Sequence, residues 1–172
     1  MTTLSEKINN ILKPLNVLIR IVLTVFFAAM VLVVSAQVFY RYVLSAPIPW
    51  AEESARFMFA WVVFLGASVA VKDKAHTGVE LFVSLMPEKM QHIVAMLTYF
   101  ICMVFVALVG NYGLQLATST SSQHSPAMHL SMFFPYLSVP LGCLFMLINF
   151  VYLIVVEIEA LQKDVNQGAS GA

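Results

Sequence analysis

Charged residues are missing from three long stretches of this chain and crowd the short segments between them. There is none from Ile21 to Tyr40, none from Phe57 to Val71, and none among the 67 residues between Lys89 and Glu157. A membrane-spanning helix needs roughly 20 apolar residues to cross a hydrocarbon core of about 30 Å, so the third stretch suits two spans joined by an outer loop. The pattern predicts an all-α integral membrane protein with four transmembrane helices, at about 17–40, 49–72, 91–117 and 133–156. The second apolar run alone, at about 1.5 Å per residue, would cover only about 22 Å. That helix must extend back through Trp50-Ala-Glu-Glu-Ser-Ala-Arg56, with Pro49 as a natural first-turn residue.

Two amphipathic pieces flank the spans. Leu4, Ile8, Ile11, Leu12 and Leu15 recur at helical spacing, with Glu6, Lys7, Asn10 and Lys13 elsewhere around the wheel. Residues 1–16 therefore read as a helix lying in the cytoplasmic interface. Val79, Leu81, Phe82, Leu85 and Met86 look like a second such helix, ending at Pro87. The transmembrane domain covers 17–156 and a cytoplasmic tail 157–172, whose Gly/Ser/Ala-rich end from Asn166 to Ala172 reads as disordered. Pro135 and Pro140, followed by Gly142, predict a bend in the outer half of the last span. No internal repeat is visible, so the inverted-repeat signature of many carriers is missing.

Composition supports the membrane assignment. Hydrophobic residues make up 60% of the chain and charged ones only 10%, with a mean hydropathy of +0.87, whereas a soluble domain carries about 25% charged residues. A net charge of zero argues against nucleic acid as a partner. Cys102 and Cys143 both sit in apolar runs and read as small packing residues. Lys and Arg set the orientation. Lys7, Lys13, Arg20, Lys72, Lys74, Lys89 and Lys163 fall on one side, seven against Arg41 and Arg56 on the other, which puts both termini in the cytoplasm. Val34-Ser-Ala36 resembles a signal cleavage site, but the apolar run continues to Tyr40, which favours an uncleaved anchor.

The densest chemistry is the turn Trp50, Glu52, Glu53 and Arg56, with Arg41 able to approach it across a seven-residue connection containing Pro47. Two carboxylates and two guanidinium groups sum to zero. That balance favours a salt-bridge cluster locking the helix, with Trp50 anchored at the interface, over an ion or substrate site. His76 lies in an inner loop, His92 at the start of the third span, and His124 and His129 in the outer loop. None pairs at matching mid-membrane depth as a bis-histidine haem requires, and the outer pair lacks a metal-ligand spacing, so no metal or cofactor is expected in this chain. Asn111, Gln115 and Thr118 share a helix face, and Gly110 and Gly113 allow a close helix approach. Both features point to helix–helix contact. No nucleophile triad or phosphate loop is present, so enzymatic activity has no support.

The stretch Val38-Phe-Tyr-Arg-Tyr-Val through Ser45-Ala-Pro-Ile-Pro-Trp-Ala-Glu-Glu-Ser-Ala-Arg56 resembles the small membrane subunit of tripartite ATP-independent periplasmic (TRAP) transporters. So do Phe59-Ala-Trp61-Val-Val-Phe-Leu-Gly66-Ala-Ser-Val-Ala-Val-Lys72, His76-Thr-Gly-Val-Glu80, Ser125-Pro-Ala-Met and Pro135-Tyr-Leu-Ser-Val-Pro140-Leu-Gly142. Together they cover roughly 25–155. Two departures are Glu80, where the family often has Asp, and Thr77-Gly78, where a bulky apolar residue is more usual. The resemblance implies a non-catalytic scaffold in the bacterial inner membrane, bound to a large subunit that holds the substrate and sodium sites. It also implies a periplasmic binding protein that delivers an organic acid, such as a C4-dicarboxylate or a sialic acid. Arg41, Trp50, Glu52, Glu53, Arg56, Trp61, Lys72 and His76 are then the candidates for structural or subunit contacts. Gly66, Gly110, Gly113, Asn111, Gln115, Pro140 and Gly142 are the candidates for helix packing.

Two other readings compete. An anchor subunit of a respiratory complex would want haem-ligating histidines. A self-contained small exporter would want an acidic residue buried in mid-helix. The charge-free spans offer neither.

Overall fold

The computed structural model describes residues 4–73 and 88–170. It contains four helices, α1 (Leu4–Tyr42), α2 (Pro49–Lys72), α3 (Glu88–Ser119) and α4 (Phe133–Ser170). Each carries a stretch long and apolar enough to cross a membrane. The only extended pairing among the described residues is the isolated bridge between His124 and Ser131 in the α3–α4 loop.

Local sequence explains the helix ends. α2 starts on Pro49, whose missing N–H would have no partner in a first turn, and carries Glu52 where the helix dipole favours an acid. Lys72 in its last turn complements the opposite pole, and the Asp73 N–H closes the end on Val69 O. Pro135 likewise falls in the first turn of α4, where its N–H is not needed. Pro14 and Pro140 lie inside α1 and α4, which continue through them.

Two segments differ from the sequence-based expectation. The amphipathic stretch assigned to a separate interfacial helix over 1–16 is, from Leu4 on, the first part of α1, a helix of 39 residues. Helical periodicity alone cannot distinguish a face lying on lipid from a face packed on another helix, and here residues 5–16 have α4 to pack on. The tail expected to be disordered from Asn166 continues α4 as helix to Ser170. At about 1.5 Å per residue both helices exceed a hydrocarbon core of about 30 Å by roughly 25 Å. That extra length lies at the end of the bundle holding the termini. The second amphipathic stretch, around 79–86, lies outside the described residues.

α4 is the central helix. A third (33%) of its most apolar window is buried, against 6% for α1 and α3. It packs on α2 and α3 and, more thinly, on α1, while α1 packs mainly on α2; among the described residues α3 packs closely only on α4. The core is a seam of Val71, Val106, Cys143, Met146, Phe150 and Leu153. Glycine sets the closest approaches. A Cβ added at Gly142 would fall 2.5 Å from Phe64 Cβ and 3.0 Å from the Phe64 carbonyl, so α2 and α4 meet there backbone to side chain. At Gly113 it would fall 2.5 Å from Val139 Cγ1, and at Gly110 3.0 Å from Cys143 Cβ. Gly66 has ordinary space, with its nearest neighbour Leu23 Cδ1 at 3.9 Å.

Candidate functional site: the two polar ends of the bundle

The polar side chains gather at the two ends of the bundle. At the end away from the termini, the charged turn of α2 divides into two separate contacts. Arg56 Nη2 donates to Glu52 Oε1 at 2.9 Å, an exposed i,i+4 pair. Glu53, one residue on and so about 100° further round the helix, turns instead to the α3–α4 loop. Its carboxylate accepts the Ala127 N–H at 3.2 Å and the Met128 N–H at 2.9 Å. The buried Ser125 hydroxyl lies beside it, outside hydrogen-bonding geometry. The loop is folded around this point by Ser125 N–H to Leu130 O, His129 N–H to Ser125 O and Met132 N–H to Gln123 O, with His129 at a positive φ of 53°.

The four-charge cluster drawn from sequence is therefore corrected. Arg41 stands exposed at the end of α1 with no ion pair among the described residues. The chain turns through Ser45 at φ 52° before reaching α2. Trp50 is half exposed on the first turn of α2. Between α2, α4 and the loop lies a cleft of about 500 Å³, lined by Phe57, Ala60, Phe64 and Val139, with Arg56 and Glu53 as its charged members.

At the end holding the termini, all four helices are tied together. Asn149 on α4, 1% exposed, donates to Ser68 O at 3.1 Å and Asn16 Oδ1 at 3.3 Å, linking α4 to α2 and α1. Asn16 donates in turn to Leu12 O at 3.0 Å. Lys72 Nζ bonds Asn9 Oδ1 at 2.9 Å and sits 3.5 Å over the Tyr152 ring. Arg20 Nη2 meets both Asp73 oxygens at 2.5 and 2.6 Å. His92 Nδ1 on α3 lies 2.7 Å from Oε2 of the buried Glu157 on α4. Ser5 donates its backbone N–H and its hydroxyl to the Glu159 carboxylate.

Of the candidate contact residues, Lys72 belongs to this network, and Trp61 packs its ring 6.0 Å from Phe26 of α1. His76 lies outside the described residues. Asn111 and Gln115 are exposed and bond only each other, at 3.5 Å, among the described residues. Sequence reasoning missed the Asn16–Ser68–Asn149 knot. Its signal was present, because a carboxamide such as Asn149 inside a span needs a partner. The Arg20–Asp73, His92–Glu157 and Ser5–Glu159 pairings join residues too far apart in sequence for any spacing rule to connect. Among the described residues no group of three His, Cys, Asp or Glu is placed to hold a metal.

Residues 30–160 match the family model of the tripartite ATP-independent periplasmic transporters, DctQ component. The chain belongs to this family. It resembles a C4-dicarboxylate TRAP transporter small permease protein of Vibrio cholerae, 36% identical over 51% of this chain and 38% of that protein. A putative TRAP transporter small permease protein of Haemophilus influenzae is 35% identical over 64% of this chain and 68% of its own length. The sialic acid TRAP transporter permease protein SiaT, also from Haemophilus influenzae, is 26% identical over 73% of this chain but only 20% of that longer protein. The match thus spans well under half the length of some curated relatives and most of others. DctQ components are parts of transporters, not enzymes, and membership of this family together with four helices long and apolar enough to cross a membrane places this chain in the bacterial inner membrane.

Proposed function

We propose that this chain is the non-catalytic scaffold subunit of a sodium-coupled TRAP transporter. On this reading a periplasmic binding protein delivers an organic acid, a C4-dicarboxylate or a sialic acid. A large permease subunit binds the acid and the sodium ions, and this chain holds that permease in the membrane. The observation that carries the proposal is how the polar groups are used. Among the buried ones Asn16, Ser68, Asn149 and Glu157 are engaged with neighbouring helices, and the charged residues lie outside the apolar stretches of the four helices. A carrier would instead aim polar groups from broken helices at a shared mid-membrane cavity. The kinds of acid are taken from relatives named for C4-dicarboxylate and for sialic acid.

Reconstitution tests the reading. Proteoliposomes holding this chain alone are expected to show no sodium-driven uptake of succinate or N-acetylneuraminate. Uptake of one class of acid should appear once the large permease and the loaded binding protein are added. Saturable, sodium-dependent uptake by the isolated chain would overturn the scaffold assignment.

A further inference from the structure

We propose that the outward face of α3, centred on Asn111, Tyr112 and Gln115, is the surface on which this chain holds a helix of the large permease. The inference rests on the reading above and specifies which face the scaffold uses. α3 presents two seams at the same four-three spacing. Val106, Gly110 and Gly113 form one, packed on α4 through Cys143 and Val139. Ile101, Phe105, Leu108, Tyr112, Gln115 and Ser119 form the other, which is exposed along its whole length. Phe105 is 65% exposed and Tyr112 67%. A four-three spacing of large residues keeps a side-chain row facing a neighbouring helix that crosses at about 20°.

Exposure of apolar side chains would mean nothing by itself in lipid. The polar groups decide. Asn111 lies about 12 Å of helix inside Ser119, within a charge-free span. It and Gln115 share one long bond at 3.5 Å, which leaves an amide N–H of Asn111 and the carbonyl of Gln115 facing outwards among the described residues. Thr118, by contrast, satisfies its hydroxyl on its own helix, at Leu114 O and Gln115 O. Lipid tails can neither donate nor accept, so unpaired carboxamides favour a polar partner from another helix. The other free edge of the bundle, on the charge-free run of α1, carries one carboxamide, Gln37, which is only part-exposed, whereas Asn111 and Gln115 are both exposed and stand one turn apart on one face of α3. The large outward side chains of α1, Ile21, Val25, Leu32 and Phe39, are apolar, and lipid covers them without loss. The partner is thus a transmembrane helix carrying its own hydrogen-bonding side chains. A large permease supplies one. The Haemophilus influenzae permease, of which this unit matches only a fifth, joins such a unit to further permease sequence in one polypeptide.

The test uses the full chain assembled with its large permease. The photocrosslinker p-benzoylphenylalanine replaces Phe105 or Tyr112 on α3, and Val25 or Leu32 on α1. Irradiation is expected to join the large permease from both α3 positions and from neither α1 position. The double variant N111L/Q115L should recover about three- to tenfold less large permease in co-purification, with the chain itself still inserted and helical. Adducts from α1 alone, adducts joining two copies of this chain, no protein adduct from α3, or unchanged recovery by the double variant each overturn the assignment of this face. If the unaltered chain recovers no large permease at all, the scaffold reading falls with it, so the two failures are told apart.

Discussion

Asn149 and Glu53 show how the same polar chemistry does two jobs at opposite ends of the bundle. Asn149 is buried and bonds Ser68 O, Ser68 Oγ and Asn16, so α1, α2 and α4 share one side chain. Replacing it with Ala removes these bonds and leaves Asn16 with Leu12 O alone. Interhelical bonds of this kind contribute about 0.6 to 1.7 kcal/mol each, so Asn149→Ala should lower stability by about 1–2 kcal/mol, read from unfolding in mixed micelles. Glu53 instead holds a loop. Without its carboxylate the N–H groups of Ala127 and Met128 lose their acceptor. Glu53→Ala should therefore speed amide hydrogen exchange at 125–131 and leave α2 and α4 protected. Arg56→Ala should change that exchange far less, because its bond to Glu52 is exposed on one helix and such pairs contribute only about 0–1 kcal/mol.

At the scale of the element, glycine spacing sets how closely the helices approach. Gly142 and Gly66 make a controlled comparison, since both are helical and lie in apolar spans. A methyl at Gly142 would press on Phe64 at 2.5 Å and on its backbone, whereas at Gly66 it would find Leu23 at 3.9 Å. Gly142→Ala should thus destabilise by about 1–3 kcal/mol through overpacking, and Gly66→Ala should change stability little. A chemical-denaturation midpoint for the two variants, measured side by side, checks the contrast. The same pair shows what was legible in the sequence. A small residue at a helix position announces that a close approach is possible, but which glycine touches a neighbour depends on helix rotation. The four spans were readable because charge is excluded from hydrocarbon. The continuity of α1 through residues 4–16 was not, because Ser5, Asn9 and Asn16 look like a solvated face until their partners Glu159, Lys72 and Asn149 are known. The charged turn was legible as a feature, and the spacing of Glu52 and Arg56 already fits their i,i+4 pair, but the places of Arg41 and Glu53 were not legible, since the acceptor role of Glu53 depends on a loop more than 70 residues away.

At the scale of the molecule, the four helices run alternately, so that both termini and the α2–α3 connection share one end. The long extensions of α1 and α4 reach beyond the hydrocarbon on that side, where Arg20–Asp73 and Lys72–Asn9 also lie. Such a charged, interlocked end is stable in water and costly in lipid, and Lys and Arg are retained on the cytoplasmic side during insertion. Seven of the nine Lys and Arg residues belong to that end. The expected topology therefore has the termini and the α2–α3 segment in the cytoplasm and the 43–48 and 120–132 connections in the periplasm. Cysteines placed singly at Ser45 and at Ser122, both exposed, in a background without Cys102 and Cys143, should react with an impermeant maleimide in intact cells. A cysteine at Lys7 should react only after the cells are opened. Labelling of the Lys7 position in intact cells, with Ser45 and Ser122 silent, would invert the molecule. It would also move the Glu53-held loop to the cytoplasm, out of reach of any periplasmic partner, so this mapping bears on the function as well as on the topology.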